Sequence, residues 1–158
     1  APLRNVCVLL FAGVVVVSSA MQIAGSMKNP EITSVQRERA AHLQNNGLTF
    51  GYATFWNANV VTELTDGDVE AVAVSIDANA QGQGVPHTSM WLEATADRRM
   101  ERPDEPVFLM LTAQESGQLS DFLALSGAQK RWEQSGMTIY EIESQRVFFE
   151  TAQTMDAQ

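Results

Sequence analysis

The stretch Leu48–Ile76, LTFGYATFWNANVVTELTDGDVEAVAVSI, decides how this chain folds. Leu48 to Phe55 is aromatic and β-branched, a composition that suits a pleated, half-buried surface and predicts a first strand. Trp56 to Leu64 predicts a short helix, closed by Thr65-Asp66-Gly67, a turn or cap signal. Glu70 to Ile76 alternates apolar with small or polar residues and predicts a second strand. Strand, helix and strand in that order form the unit from which parallel sheets are built.

Working outward, Asn29-Pro30-Glu31 is a helix start: Asn accepts a bond from a free amide, Pro suits the first turn, and Glu complements the dipole. Ile32, Val35, Ala40 and Leu43 continue it as an apolar stripe, with Arg37, Glu38 and Arg39 on the wet side, and Asn46-Gly47 closes it. Downstream, Asp77 to Pro86 has glycines and no apolar period and reads as a loop. So does Trp91 to Glu105, with weak helical character. Val107 to Thr112, VFLMLT, has the continuous apolar run of a buried strand. Leu119, Phe122, Leu123 and Leu125 have helical spacing within Gly117 to Ser126. Met137 to Glu143 reads as the last clear strand, with Val147 to Glu150 as a partner strand. The expected fold is α/β, a small three-layer-like domain over residues 27–158 with a mostly parallel sheet.

Residues 1–26 differ. Val6 to Gly25 holds no charged residue, and about 20 apolar residues at 1.5 Å each cross a hydrocarbon core. A strand in water rarely exceeds about 10 residues, so length favours a transmembrane helix. Two other readings stay open: a secretory signal peptide with Arg4 before its core and Ser18-Ser19-Ala20 as its cleavage site, and a buried helix. Arg4 precedes the apolar run, while Glu31 soon offsets Lys28. The positive-inside rule then puts the amino end in the cytoplasm and the following domain outside. With no initiating Met, the chain reads as the carboxy-terminal part of a longer protein.

Across all 158 residues, 10 Lys and Arg face 19 Asp and Glu, a net charge of −9. Nucleic-acid binding relies on clustered bases that release phosphate counterions, and here Arg98, Arg99 and Arg102 are hemmed in by Asp97, Glu101, Asp104 and Glu105. That argues against a nucleic-acid partner. The same acidity repels anionic headgroups, so the domain should stand away from a bilayer surface. A single cysteine, Cys7, provides neither an intrachain disulfide nor a zinc site, and His42 and His87 alone cannot build a His-rich metal site.

Tyr52, Trp56, Asn57 and Asn59 flank a strand-to-helix junction, where α/β sheets place ligands. Aromatic rings stack on sugar faces and Asn amides bond hydroxyls, which makes these four the candidate contacts for a sugar or its acceptor. The competing reading gives Tyr52 and Trp56 to packing and Asn57 to a helix cap. Asp66, Asp68 and Glu70 lack the ligand count and terminal Glu of a calcium loop and read as a solvated turn. His87 has no nucleophile elbow, Ser89 is too close in sequence to partner it, and His42 sits in a helical stripe. Gly82-Gln83-Gly84 lacks the third glycine and the helix of a dinucleotide fingerprint. Trp132, beside Lys130 and Arg131, reads as core packing or an interfacial anchor. No metal, cofactor or catalytic residue is expected.

The run from Leu43 to Val69, with Gly47-Leu48, Gly51-Tyr52-Ala53, Phe55-Trp56, Asn57, Thr62 and Thr65-Asp66-Gly67-Asp68-Val69, resembles a segment of bacterial polytopic membrane glycosyltransferases. These use a polyprenyl-phosphate sugar donor, as do the dolichyl-phosphate-mannose protein mannosyltransferases. The resemblance covers Leu43 to Val74, with weaker agreement at Trp91-Leu92, Val107 to Leu111 and Met137 to Ile142. Phe55 stands where that pattern has Tyr. In this class the catalytic carboxylate lies on an extracytoplasmic loop near the start of the membrane region and the lipid donor enters between membrane helices. The resemblance therefore implies the carboxy-terminal part of an inner-membrane enzyme with its soluble domain in the periplasm, inactive alone and in contact with a lipid-linked sugar or glycan. Such a domain would shape acceptor access or cap the membrane core. The alternative is a single-span or secreted α/β binding or accessory domain without catalysis.

Overall fold

A computed structural model describes residues 30–88 and 102–158, and Val35–Gln158 forms one compact unit. Helix α1 runs Pro30–Asn45 and stops where Gly47 takes φ 68°. There the Leu48 amide reaches back to the Leu43 carbonyl at 3.0 Å, satisfying a carbonyl the helix leaves free. Strand β1 follows at Phe50–Thr54, helix α2 at Phe55–Leu64 and strand β2 at Glu70–Ala78. The register places Tyr52 beside Val72 and Thr54 beside Val74 in a parallel pair, as the sequence predicts. Strand β3 occupies Gly84–Thr88 and β4 Val107–Thr112. Two short helices, α3 Ala113–Gln118 and α4 Ser120–Leu125, come next, then β5 Gln129–Gln134, β6 Met137–Ile142 and α5 Gln145–Asp156.

The sheet order is β3-β2-β1-β4-β6-β5. Only β1 with β2 and β1 with β4 pair in parallel, whereas β2 with β3, β4 with β6, and β6 with β5 are antiparallel. This corrects the expected mostly parallel sheet: it is mixed, with antiparallel pairs in the majority. The reason lies in two hairpins. Ser135 and Gly136 both take positive φ, 50° and 74°, the backbone of the tight turn whose twist matches antiparallel strands. The second hairpin closes over Asn79–Gln83, where Asn79 Oδ1 accepts from the amides of Gln81 and Gln83 at 3.0 and 2.9 Å. Val147–Glu150, expected as a strand, lies inside α5, which Ser144 starts by accepting from the Val147 amide at 3.3 Å.

Alternation along the strands separates two cores. Phe50, Tyr52, Val107, Leu109 and Leu111 face one side, where they meet Leu119, Phe122, Phe148, Ala152 and Met155. Ala53, Phe108 and Met110 face the other, against Leu43 of α1 and Ala58 and Val61 of α2. Helices thus cover both faces of the sheet, and the period of two in β1 and β4 sets which residue goes where.

The expected transmembrane helix, Val6 to Gly25, lies outside the described residues. Among the described residues no helix is long and apolar enough to cross a membrane. Membrane anchorage through an amino-terminal helix is accordingly withdrawn as a partner assignment, because apolar length in the sequence was its sole support. Asn29, the expected helix cap, also lies outside the described residues.

Candidate binding surface on the helix after the first strand

Strand β1 is flanked on both sides by parallel neighbours, yet the helices that follow β1 and β4 go to opposite faces: α2 packs on the Ala53 side, α4 on the Tyr52 side. The carboxyl ends of β1 and β4 therefore form a topological switch point, the position where open α/β sheets leave a crevice for ligands. Two junctions meet there. At the end of β4, Thr112 and Glu115 form a reciprocal capping box, with bonds of 3.2 and 2.7 Å, that closes the start of α3. At the end of β1, Thr54 is the cap residue of α2 but its hydroxyl makes no cap bond to a backbone amide. It accepts instead from the Asn57 side chain at 3.1 Å.

The four candidate residues divide. Tyr52 is 1% exposed, its ring stacked on Phe148 with centroids 4.0 Å apart and its hydroxyl accepting from Gln145 Nε2 at 3.0 Å. It is a core residue and does not reach a ligand. Asn57 is half-buried and spends its amide on Thr54. Trp56, for which packing was the competing reading, is 78% exposed and meets Phe55 edge to face at 5.0 Å. Asn59 is exposed one turn further along. The junction thus presents Trp56 and Asn59, three positions apart and on one helix face.

Sequence reasoning missed Val60 and Leu64, which continue the Trp56 ridge at the next two turns. Leu64 is 38% exposed and Val60 partly so. Their spacing of four was readable, but spacing alone does not say whether a ridge faces core or solvent.

The other candidates carry structure. Thr65 accepts from the Val69 amide at 3.1 Å and donates to the Val61 carbonyl at 2.9 Å, closing the Asp66–Asp68 turn. Among the described residues no cluster of His, Cys, Asp and Glu is placed to hold a metal. His87 Nε2 lies 3.5 Å from Asp156 at a solvent-exposed site, while the Ser75 hydroxyl donates to Asp77 at 3.0 Å, so no nucleophile and base meet there. Ser89 lies outside the described residues. Gly82 supplies a turn with φ 80°. Trp132 is half-buried against the core of Met137 and Ile139 and pairs with the His42 ring at 6.0 Å.

Beside it, His42, Asn46, Leu48, Arg131 and Glu141 line a cavity of about 290 Å³. Its opposite charges bind each other: Arg131 donates to both Glu141 oxygens, at 3.0 and 3.1 Å. This hydrogen-bonded pair raises the Arg131 pKa above its ordinary value. On α1, burial lowers the pKa of Arg39.

No known protein family, curated protein or solved structure matches this chain.

Proposed function

We propose that this domain is a non-catalytic accessory module of a glycosyltransferase-like protein that draws on a polyprenyl-phosphate sugar donor, and that it contacts the acceptor through Trp56 and Asn59. The observation that carries the reading is the exposure of Trp56 at the carboxyl end of β1, at the switch point of the sheet. Leaving a large indole in water forgoes most of its burial energy, about 1.5–3 kcal/mol for a large apolar side chain, and aromatic residues so placed are the usual anchors of recognition surfaces. The resemblance from Leu43 to Val74 spans the end of α1, β1, α2 and most of β2, the elements that build this surface. A module of this kind leaves bond-making to groups elsewhere in the enzyme and acts by holding the acceptor.

The test is a sugar-transfer assay with a polyprenyl-phosphate-linked mannose donor, run on the intact encoded protein and on this chain by itself. The reading expects transfer by the intact protein, none by the isolated chain, and reduced transfer by the intact Trp56→Ala variant. An intact protein that transfers no sugar from such donors overturns it, as does a Trp56→Ala variant with unchanged transfer.

A further inference from the structure

No Lys or Arg occurs from residue 40 to residue 97. Helix α2 and the turn after it therefore carry acids with no base of their own. Along α2, Trp56, Val60 and Leu64 recur every four residues and form one ridge, about 12 Å long at 1.5 Å per residue. Trp56, Leu64 and Leu125 are the exposed large hydrophobic residues among those described, so two of the three stand on this ridge. Glu63 is exposed beside Leu64. Asp66, at φ 51°, and Asp68 are exposed in the following turn. Asp68 accepts from Gln44 at 3.3 Å, and none of these three acids is ion-paired with a described cation. Among the described cations, Arg102, Lys130, Arg131 and Arg146 each have an acidic partner within 4 Å, whereas Arg37 and Arg39 on α1 have none. Unpaired negative charge thus borders the exposed apolar ridge.

A neutral sugar would gain nothing from an acidic rim and little from Val60 and Leu64. A helix with an apolar stripe bordered by Lys or Arg would use both, laying its stripe on the ridge and its cations against Glu63, Asp66 and Asp68. We propose that the α2 ridge docks a basic amphipathic helical segment of a partner polypeptide. This rests on the reading of the α2 face as an acceptor-contacting surface and names that acceptor chemically, as a cationic polypeptide. The charge contributes to association rate and selectivity, and the ridge to residence time.

The test uses the full chain and a synthetic amphipathic Leu/Lys helix of about 15 residues, long enough to hold a helix on binding, with a Leu/Glu peptide of the same pattern as control. Calorimetric titration should show saturable binding of the Leu/Lys peptide alone. Trp56→Ala or Leu64→Ser should weaken it about tenfold, the effect of losing a central apolar anchor. Glu63→Lys should weaken it by a similar factor, whereas Glu150→Lys, an equal change of two charges on α5, should leave it intact. The proposal is overturned by absence of saturable binding, by binding indifferent to Trp56→Ala and Leu64→Ser, or by equal loss with Glu150→Lys, which would reduce the attraction to net charge. A peptide that fails to bind while Trp56→Ala still impairs sugar transfer removes the polypeptide partner and leaves the accessory role. Binding by a protein that transfers no sugar does the reverse.

Discussion

Tyr52 and Phe148 lie face to face, with ring planes 13° from parallel and centroids 4.0 Å apart. The pair joins the central strand β1 to the last helix α5. Its polar end is held as well, since Gln145 donates to the Tyr52 hydroxyl at 3.0 Å and accepts from the Arg102 amide at 3.0 Å. Gln145 is fully buried, so each of its polar atoms needs a partner.

Tyr52→Phe should therefore cost about 1–3 kcal/mol, the penalty for stranding the Gln145 amide in the core. Phe148→Ala should cost more, about 3–5 kcal/mol, as a large aromatic deletion. Urea unfolding of each variant and of the Tyr52→Phe/Gln145→Leu double variant measures this. The double variant should be less destabilised than the sum of its singles, because the stranded group is gone.

Two glycines should respond in opposite directions. A Cβ at Gly51 would overlap the backbone oxygen and ring of Phe108 on the neighbouring strand, so Gly51→Ala forces β1 and β4 apart. The overlap involves backbone, and a loss at or above the upper end of the usual overpacking cost of about 1–3 kcal/mol is expected. Gly117, inside α3, meets nothing within 4 Å, and Gly117→Ala should add about 0.5–1 kcal/mol by helix propensity. Denaturation midpoints of the two variants against the parent give both signs.

Asn79 ties the β2–β3 hairpin to the end of α5. Besides its two loop amides it donates to the Met155 carbonyl at 2.9 Å, one of the carbonyls α5 leaves free. Its Nδ2 also donates to the side-chain oxygens of Gln81 and Gln83 at 3.4 and 3.1 Å, so Asn79→Ala removes five hydrogen bonds, the typical net contribution of one being about 0.5–1.5 kcal/mol. Amide exchange should show the loss first as faster opening of the last turn of α5 and of Gln81 and Gln83, before any change at β1 or β4.

Much of the fold was legible because long apolar signals mark buried elements. Val107–Thr112 and Glu70–Ile76 could be read as strands from their own residues, and the helix after Phe55 from its turn signal. The flanking strands β3 and β5 were not legible. Gly84–Thr88 carries Pro86, and Gln129–Gln134 is polar at nearly every position. Both traits belong to sheet edges, which must resist further pairing; in strand prediction the same traits count as loop. Missing these two hairpin strands made the sheet look mostly parallel.

At the carboxyl end, Val147, Phe148 and Phe149 have strand propensity. The spacing of Phe148, Ala152 and Met155 on one helical face was the overriding signal, and tertiary packing on Tyr52 enforces it. For the site, residue types located the junction but not the direction of its rings. Tyr52 is buried because helices cover both faces of the sheet, and alternation with Gly51 and Ala53 only selects the Phe148 side. Trp56 points out because α2 turns its Ala58 and Val61 side to the sheet.

The most direct test of the account separates acceptor holding from chemistry at Trp56. In the intact protein, steady-state transfer from a polyprenyl-phosphate-linked sugar should show Trp56→Ala raising KM for the acceptor about tenfold with kcat nearly unchanged, the mark of an interaction made equally in ground and transition states. A fall in kcat with KM unchanged would put Trp56 in the chemical step and contradict the accessory role assigned to this domain.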